Sequence, residues 1–202
     1  MIADESIGDF LDALAAANAT PGGGSATALL AAVAASLVSM VCRLSVDRQG
    51  TATDRDQLVA ALDRAQGLRA QLMGLMDEDV SAFDAVMRAY ALPKSGEAER
   101  AVRSQAIQAA LHIATLAPLA CARACGEVLE LARFAAAKGH TNAAGEAGVA
   151  ALTAHAALRC AALNVRINAG SIRDAGFVQS TLAELDQIVR RCGEGEGSHG
   201  HS

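Results

Sequence analysis

The sequence is poor in aromatic residues, at 2% of the chain: no Trp, one Tyr and four Phe. A core without large rings must be filled by Ala, Leu, Val and Ile, and Ala is the strongest helix former because it gives up no side-chain entropy. There is no basic excess either. Seventeen Lys and Arg stand against twenty-two Asp and Glu, a net charge of −5. A nucleic-acid partner needs a basic stripe for phosphates and aromatics for bases, so neither composition nor charge suggests one. The first residues, MIADESIGDFL, lack a basic segment followed by an apolar run, so no signal peptide is expected. Five cysteines, an odd number, suggest reduced thiols in a cytoplasmic protein. Cys121 and Cys125 share a helix face, but two further ligands at zinc-site spacing are missing. Small buried thiols are the expectation, with no metal.

What is present is helical periodicity. Ile2 to Ala17 reads as a short amphipathic helix through Ile7, Phe10, Leu11 and Leu14. Thr20-Pro21-Gly22-Gly23-Gly24-Ser25 interrupts it, and Ser25 is the predicted N-cap of a helix from Ala26 to about Val46. No charge occurs between Ala13 and Cys42. The continuous helical part, Ala26 to Cys42, is shorter than the ~20 residues of a membrane span, so a central bundle helix is expected and no membrane. A long helix follows from Arg55 to Tyr90, broken by Pro93 and Ser95-Gly96; another runs from Glu97 towards Ala137 with a kink expected at Pro118. Thr141 to Asn168 is a second apolar, central helix, and Ala175 to Cys192 an amphipathic one. No strand-like alternation or internal repeat appears. The predicted fold is all-α: one up-and-down bundle of about six helices over residues 1–192, with residues 193–202 a disordered tail. Two helices with so little polar surface are hard to cover in one chain, which predicts a homodimer.

Three features carry candidate chemistry. Three consecutive glycines at a helix entrance allow close backbone approach and present amide N–H groups at the positive end of the dipole. The same residues serve equally well as a plain turn. Asp77, Glu78, Asp79 and Asp84 cluster around Phe83; Asp79 leans towards the apolar stripe, where a carboxylate is costly unless it has a function. Asn142, Glu146, His155, Asn164 and Asn168 fall on or near the second apolar helix and suggest a polar lining, His155 being more readily a satisfied core histidine.

The ordered set Thr20-Pro21-Gly22-Gly23-Gly24-Ser25, Ser39-Met40-Val41-Cys42, Asp79 to Met87, Leu92-Pro93-Lys94, Pro118-Leu119, Gly145 to Ala150 and Asn164 to Asn168 resembles the cyclodeaminase/cyclohydrolase family of folate enzymes. That family comprises bacterial methenyltetrahydrofolate cyclohydrolases and the C-terminal half of formiminotransferase-cyclodeaminase. The resemblance implies a helical dimer, a small-molecule folate substrate, no cofactor beyond it, and cyclohydrolase activity on 5,10-methenyltetrahydrofolate. The alternatives are formiminotetrahydrofolate cyclodeaminase, releasing ammonia, and a non-catalytic folate-binding module. Glu146 stands where members typically carry Asp, and His140 where Asn is usual. Carried onto this chain, the resemblance implies Asp79 and Glu146 as catalytic carboxylates. It implies Pro21, Gly22, Gly23, Gly24, Ser25, Asp84, His140, Asn142 and Asn164 as substrate-binding, with Arg48 or Lys94 meeting the anionic glutamate tail.

Overall fold

The computed structural model describes residues 2–47 and 51–193; Arg48 and the tail from residue 194 lie outside them. Among the described residues there are six α-helices and two short 3-10 turns, with no strand. A turn at Ile2–Asp4 precedes α1 (Ile7–Ala15), α2 (Gly23–Val46), α3 (Ala52–Tyr90) and α4 (Glu97–Lys138). A second turn, Thr141–Ala143, leads into α5 (Ala144–Ala169) and then α6 (Ala175–Gly193). The helix ends follow local chemistry. The Thr51 hydroxyl accepts from the Asp54 N–H at 3.2 Å, and Glu99 takes the N–H groups of Ser95 and Gly96 at 2.8 and 3.2 Å.

Alanine sets the packing. On α5, Ala147, Ala150, Ala154, Ala157 and Ala161 recur at alternating spacings of three and four, and all are fully buried. On α2, Ala28, Ala31, Ala35, Val38 and Cys42 do the same. This repeat keeps one narrow stripe facing the neighbours, and its small side chains let backbones come close. Helix α2 packs against α3, α4 and α5, and α4 against α3, α5 and α6. Leu58, Leu68 and Leu72 of α3, with Leu158 and Leu185, supply the bulk of the core.

Three expectations change. Helix α2 has 24 residues and starts at Gly23, with Gly22 as its N-cap, so Ser25 lies inside the first turn and is not the cap. Length therefore gives no argument against a span: α2, α4 and the segment Thr141–Ala169 are each long and apolar enough to cross a membrane. Nor is α5 surrounded within this chain. Val149, Leu152, Leu163 and Ile167 are 53–73% exposed, and Val33, Met40 and Leu44 of α2 are exposed as well.

Helix α4 runs unbroken through Pro118. Proline lacks the N–H that would bond the carbonyl four residues back; that carbonyl, of Ala114, instead accepts from the Asn168 side-chain amide at 2.8 Å. Asn168→Leu should cost about 1–3 kcal/mol by stranding the Ala114 carbonyl. In a Pro118→Ala background the new backbone N–H takes over, and the same substitution should cost much less. Urea unfolding of the four proteins measures the difference; equal losses in both backgrounds would disprove the link.

Candidate functional site

The first turn of α2 meets α3 at Asp79. Ser25 is fully buried, and its hydroxyl has two acceptors, Asp79 Oδ2 at 3.0 Å and the Met76 carbonyl at 3.3 Å. The Ser25 backbone N–H also donates to the carboxylate. Burial pushes the Asp79 carboxyl above its ordinary range, and the two Ser25 donors pull against that without cancelling it.

The three glycines are not equivalent. A Cβ on Gly24 would fall 2.0 Å from Asp79 Oδ1, whereas one on Gly23 would meet nothing within 4 Å. Gly24 is thus the residue that lets the carboxylate lie against the helix end, where free N–H groups and the helix dipole favour its ionised form.

Asp79 opens onto a cleft of about 350 Å³. Helix α3 contributes Asp79, Ala82, Phe83 and Val86, spaced i, i+3, i+4 and i+7 on one face. Leu111, Ala114 and Pro118 of α4 form the opposite wall, Asn164 and Asn168 of α5 a polar edge, and Thr20 with Gly22–Gly24 the rim. Behind Asp79 the wall continues through Thr27, Leu75 and Cys121.

The structure brings together Gly22, Gly23, Gly24, Ser25, Asp79 and Asn164 from the predicted set, while Pro21 sits in the adjoining loop outside the lining. Ser25 is a positioning residue here, because its buried hydroxyl is turned to Asp79. Asp84 is exposed: five residues on, it points about 140° away from Asp79. Asp77 instead accepts the Ile2 N–H at 2.8 Å. Lys94 is exposed beyond the end of α3 and does not line the cleft.

Glu146, His140 and Asn142 gather at the other end of the bundle. The His140 N–H donates to Ser45 Oγ at 2.8 Å and His140 Nδ1 accepts the Asn142 N–H at 3.2 Å. Ser45 and Ser25 are twenty residues apart on α2, about 30 Å at 1.5 Å per residue. Glu146 is eighteen residues from Asn164 on α5, about 27 Å. Within one chain Glu146 is therefore no second carboxylate for Asp79. Sequence reasoning noted Pro118 only as a kink and a family motif, and it missed the apolar walls, Leu111 above all, because nothing local distinguishes them from core.

A family model described as formiminotransferase-cyclodeaminase matches residues 6–187. The chain belongs to this family. It is 46% identical to a methenyltetrahydrofolate cyclohydrolase of Methylorubrum extorquens, covering 96% of this chain and 93% of that one. It is 30% identical to the formimidoyltransferase-cyclodeaminase of Mus musculus over 94% of this chain, which spans 35% of the mouse protein. A crystal structure of formiminotetrahydrofolate cyclodeaminase from Thermotoga maritima superposes with a TM-score of 0.85 at 28% identity, covering 95% of this chain and 92% of that one.

A raised carboxyl value has a signed consequence for stability. The favourable contribution of Asp79 is complete below the ordinary carboxylate range and is lost as pH rises through the raised value. At neutral pH the ionised group therefore opposes folding. Asp79→Asn should melt a few degrees higher than the parent at pH 7, with the gain shrinking towards zero in acid. Calorimetric melts across pH check this; a lower melting temperature at pH 7 would contradict it.

Proposed function

We propose that this chain hydrolyses 5,10-methenyltetrahydrofolate to 10-formyltetrahydrofolate, with Asp79 as general base. The observation that carries the reading is the half-buried Asp79 carboxylate, held by Ser25 at the head of an apolar cleft. The 46% identity to a methenyltetrahydrofolate cyclohydrolase over nearly the whole chain supports the substrate.

The substrate carries a delocalised cation over N5, the bridging carbon and N10. A carboxylate in a poorly solvated cleft attracts that cation more strongly than it would in water. Water then adds to the bridging carbon and gives its proton to Asp79. Asp79 returns that proton to N5 as the carbon–N5 bond breaks, and the hydroxyl of the intermediate releases its own proton to solvent, leaving the formyl group on N10 and Asp79 ionised again. Binding of the cation also favours ionised Asp79, which offsets the burial that raises it. The carbon is already electrophilic, so the chemistry needs no metal or further cofactor. Asn164 lies where its amide can meet a polar edge of the pterin.

We further propose that the protein is a cytoplasmic homodimer. Helices α2 and α5 pack together and each leaves several large apolar residues exposed, which a second copy would cover more favourably than water. A cyclodeaminase activity is the competing reading, because the similar Thermotoga maritima protein bears that name. Ammonia release from the formimino substrate separates the two.

Decay of methenyl absorbance is the assay. Asp79→Asn should lose about 10²–10⁴-fold in turnover. Gly24→Ala should also lose at least tenfold, since its methyl takes the carboxylate's place, while Gly23→Ala has the space to be tolerated. The acid limb of kcat/KM should fall as pH drops through the raised Asp79 value, and Ser25→Ala should move that limb higher by removing a donor to the carboxylate. Full activity in Asp79→Asn would remove the base from the mechanism.

A further inference from the structure

Leu111 lines the Asp79 cleft and also a second cavity, of about 290 Å³, at the far end of the α3–α4 groove. Two arginines face that second cavity, Arg103 from α4 and Arg173 from the α5–α6 connection. Arg103 donates from Nε and Nη2 to the Tyr90 carbonyl at 3.1 and 3.0 Å, and its guanidinium lies 5.5 Å from the Tyr90 ring centroid. Arg173 donates from Nη1 to Ser104 Oγ at 2.7 Å, and its backbone N–H bonds Gln108 Oε1 at 2.7 Å. Gln108 in turn donates to the Ser171 carbonyl at 3.2 Å.

Among the described residues, neither guanidinium is paired with a carboxylate. The neighbouring Asp174 is taken up elsewhere, its Oδ1 accepting the Phe177 N–H at the start of α6. A guanidinium has five N–H donors, so both arginines keep donors in hand. In a protein of net charge −5, two adjacent cations held by neutral partners are fixed in place without being neutralised. Ile107 and Leu111 give this cavity an apolar part of its lining.

We infer that Arg103 and Arg173 bind the carboxylates of the substrate's glutamate tail, an inference that rests on the folate reading above. The order of chemistry along the groove matches the order along the molecule. Asp79 faces the cationic bridge; Phe83, Val86 and Leu111 offer an apolar stretch for the benzoyl ring; the arginines meet the dianionic end. Asp79 and Tyr90 are eleven residues apart on α3, about 16 Å, and the arginine side chains shorten the gap that a ring and a glutamyl residue must span. Fork-shaped guanidinium donors suit carboxylates. The part was expected of Arg48 or Lys94; Lys94 does not line the cleft, and Arg48 lies outside the described residues.

The test compares 5,10-methenyltetrahydrofolate with its methenyl-tetrahydropteroate analogue, which lacks the glutamate. In the unmodified protein the glutamylated substrate should have the lower KM, with an advantage that declines as salt is added. Arg103→Gln/Arg173→Gln should raise the KM for the glutamylated substrate about ten- to a hundredfold and leave the KM for the pteroate analogue within twofold. Arg173→Gln alone, which leaves the Tyr90 carbonyl bonded, should give part of the effect even if the double variant folds poorly. Equal losses on both substrates, or none on either, would overturn the assignment. Calorimetric binding of tetrahydrofolate against tetrahydropteroate gives the same comparison without turnover. Discrimination there in a protein that hydrolyses nothing would sustain the arginine site while rejecting the cyclohydrolase; turnover without discrimination would do the reverse.

Discussion

The contact between the first turn of α2 and the Asp79 carboxylate is the constraint around which the site is built. A carboxylate in an apolar cleft has to be held in its charged form by something, and here the Ser25 hydroxyl and backbone N–H hold it. The hold works only because residue 24 has no side chain. It also requires α2 to be rigid and closely seated on α3, which its alanine stripe provides. Burial and hydrogen bonding act on Asp79 in opposite directions, and burial prevails. The result is a carboxyl more readily protonated than a surface aspartate, as the proposed role of general base requires.

A second constraint shapes the wall opposite. Pro118 gives α4 a rigid apolar surface towards Asp79 but leaves the Ala114 carbonyl without its helical partner. Asn168 supplies the missing donor from α5, so the residue that repairs the helix also sets a polar edge on the cleft. The two ends of the bundle have separate roles. At the Ser45 end, His140 and Asn142 fasten the turn before α5 to the end of α2. Gly139 permits this close approach, because a Cβ there would fall 2.9 Å from Val41 Cγ1. These residues serve architecture within the chain, and the open groove belongs to the Gly24 end.

The helices were legible because apolar residues at spacings of three and four, with Thr20 to Ser25, Pro93 and Ser95-Gly96 as punctuation, leave few alternatives. The start of α3 is an exception: it lies at Ala52 under a Thr51 cap, three residues before the expected one. Asp79 was legible for a related reason: a charge set beside Val80 and Phe83 in a helical stripe breaks the local pattern. Asp84 looked similar in sequence but lies 140° around the helix. Glu146 was expected as a partner carboxylate from the family resemblance, and the polar residues scattered through its alanine-rich stretch suggested a lining. Only the antiparallel run of α2 and α5 shows that it belongs to the remote end. The expectation of a serine N-cap failed because α2 begins at Gly23 and the Ser25 hydroxyl bonds a half-buried carboxylate fifty-four residues away.

Local periodicity and composition are enough to give the helical class, the break between α1 and α2, and the acid most costly to bury. Tertiary structure alone decided which of the three glycines matters, what Ser25 bonds, and why Asn168 stands across from Pro118. It also placed Arg103 and Arg173, seventy residues apart, on one cavity. The reason is physical: helix formation is decided by neighbours within a turn or two, whereas the approach of two backbones and the pairing of a buried polar atom depend on contacts that no window of sequence contains.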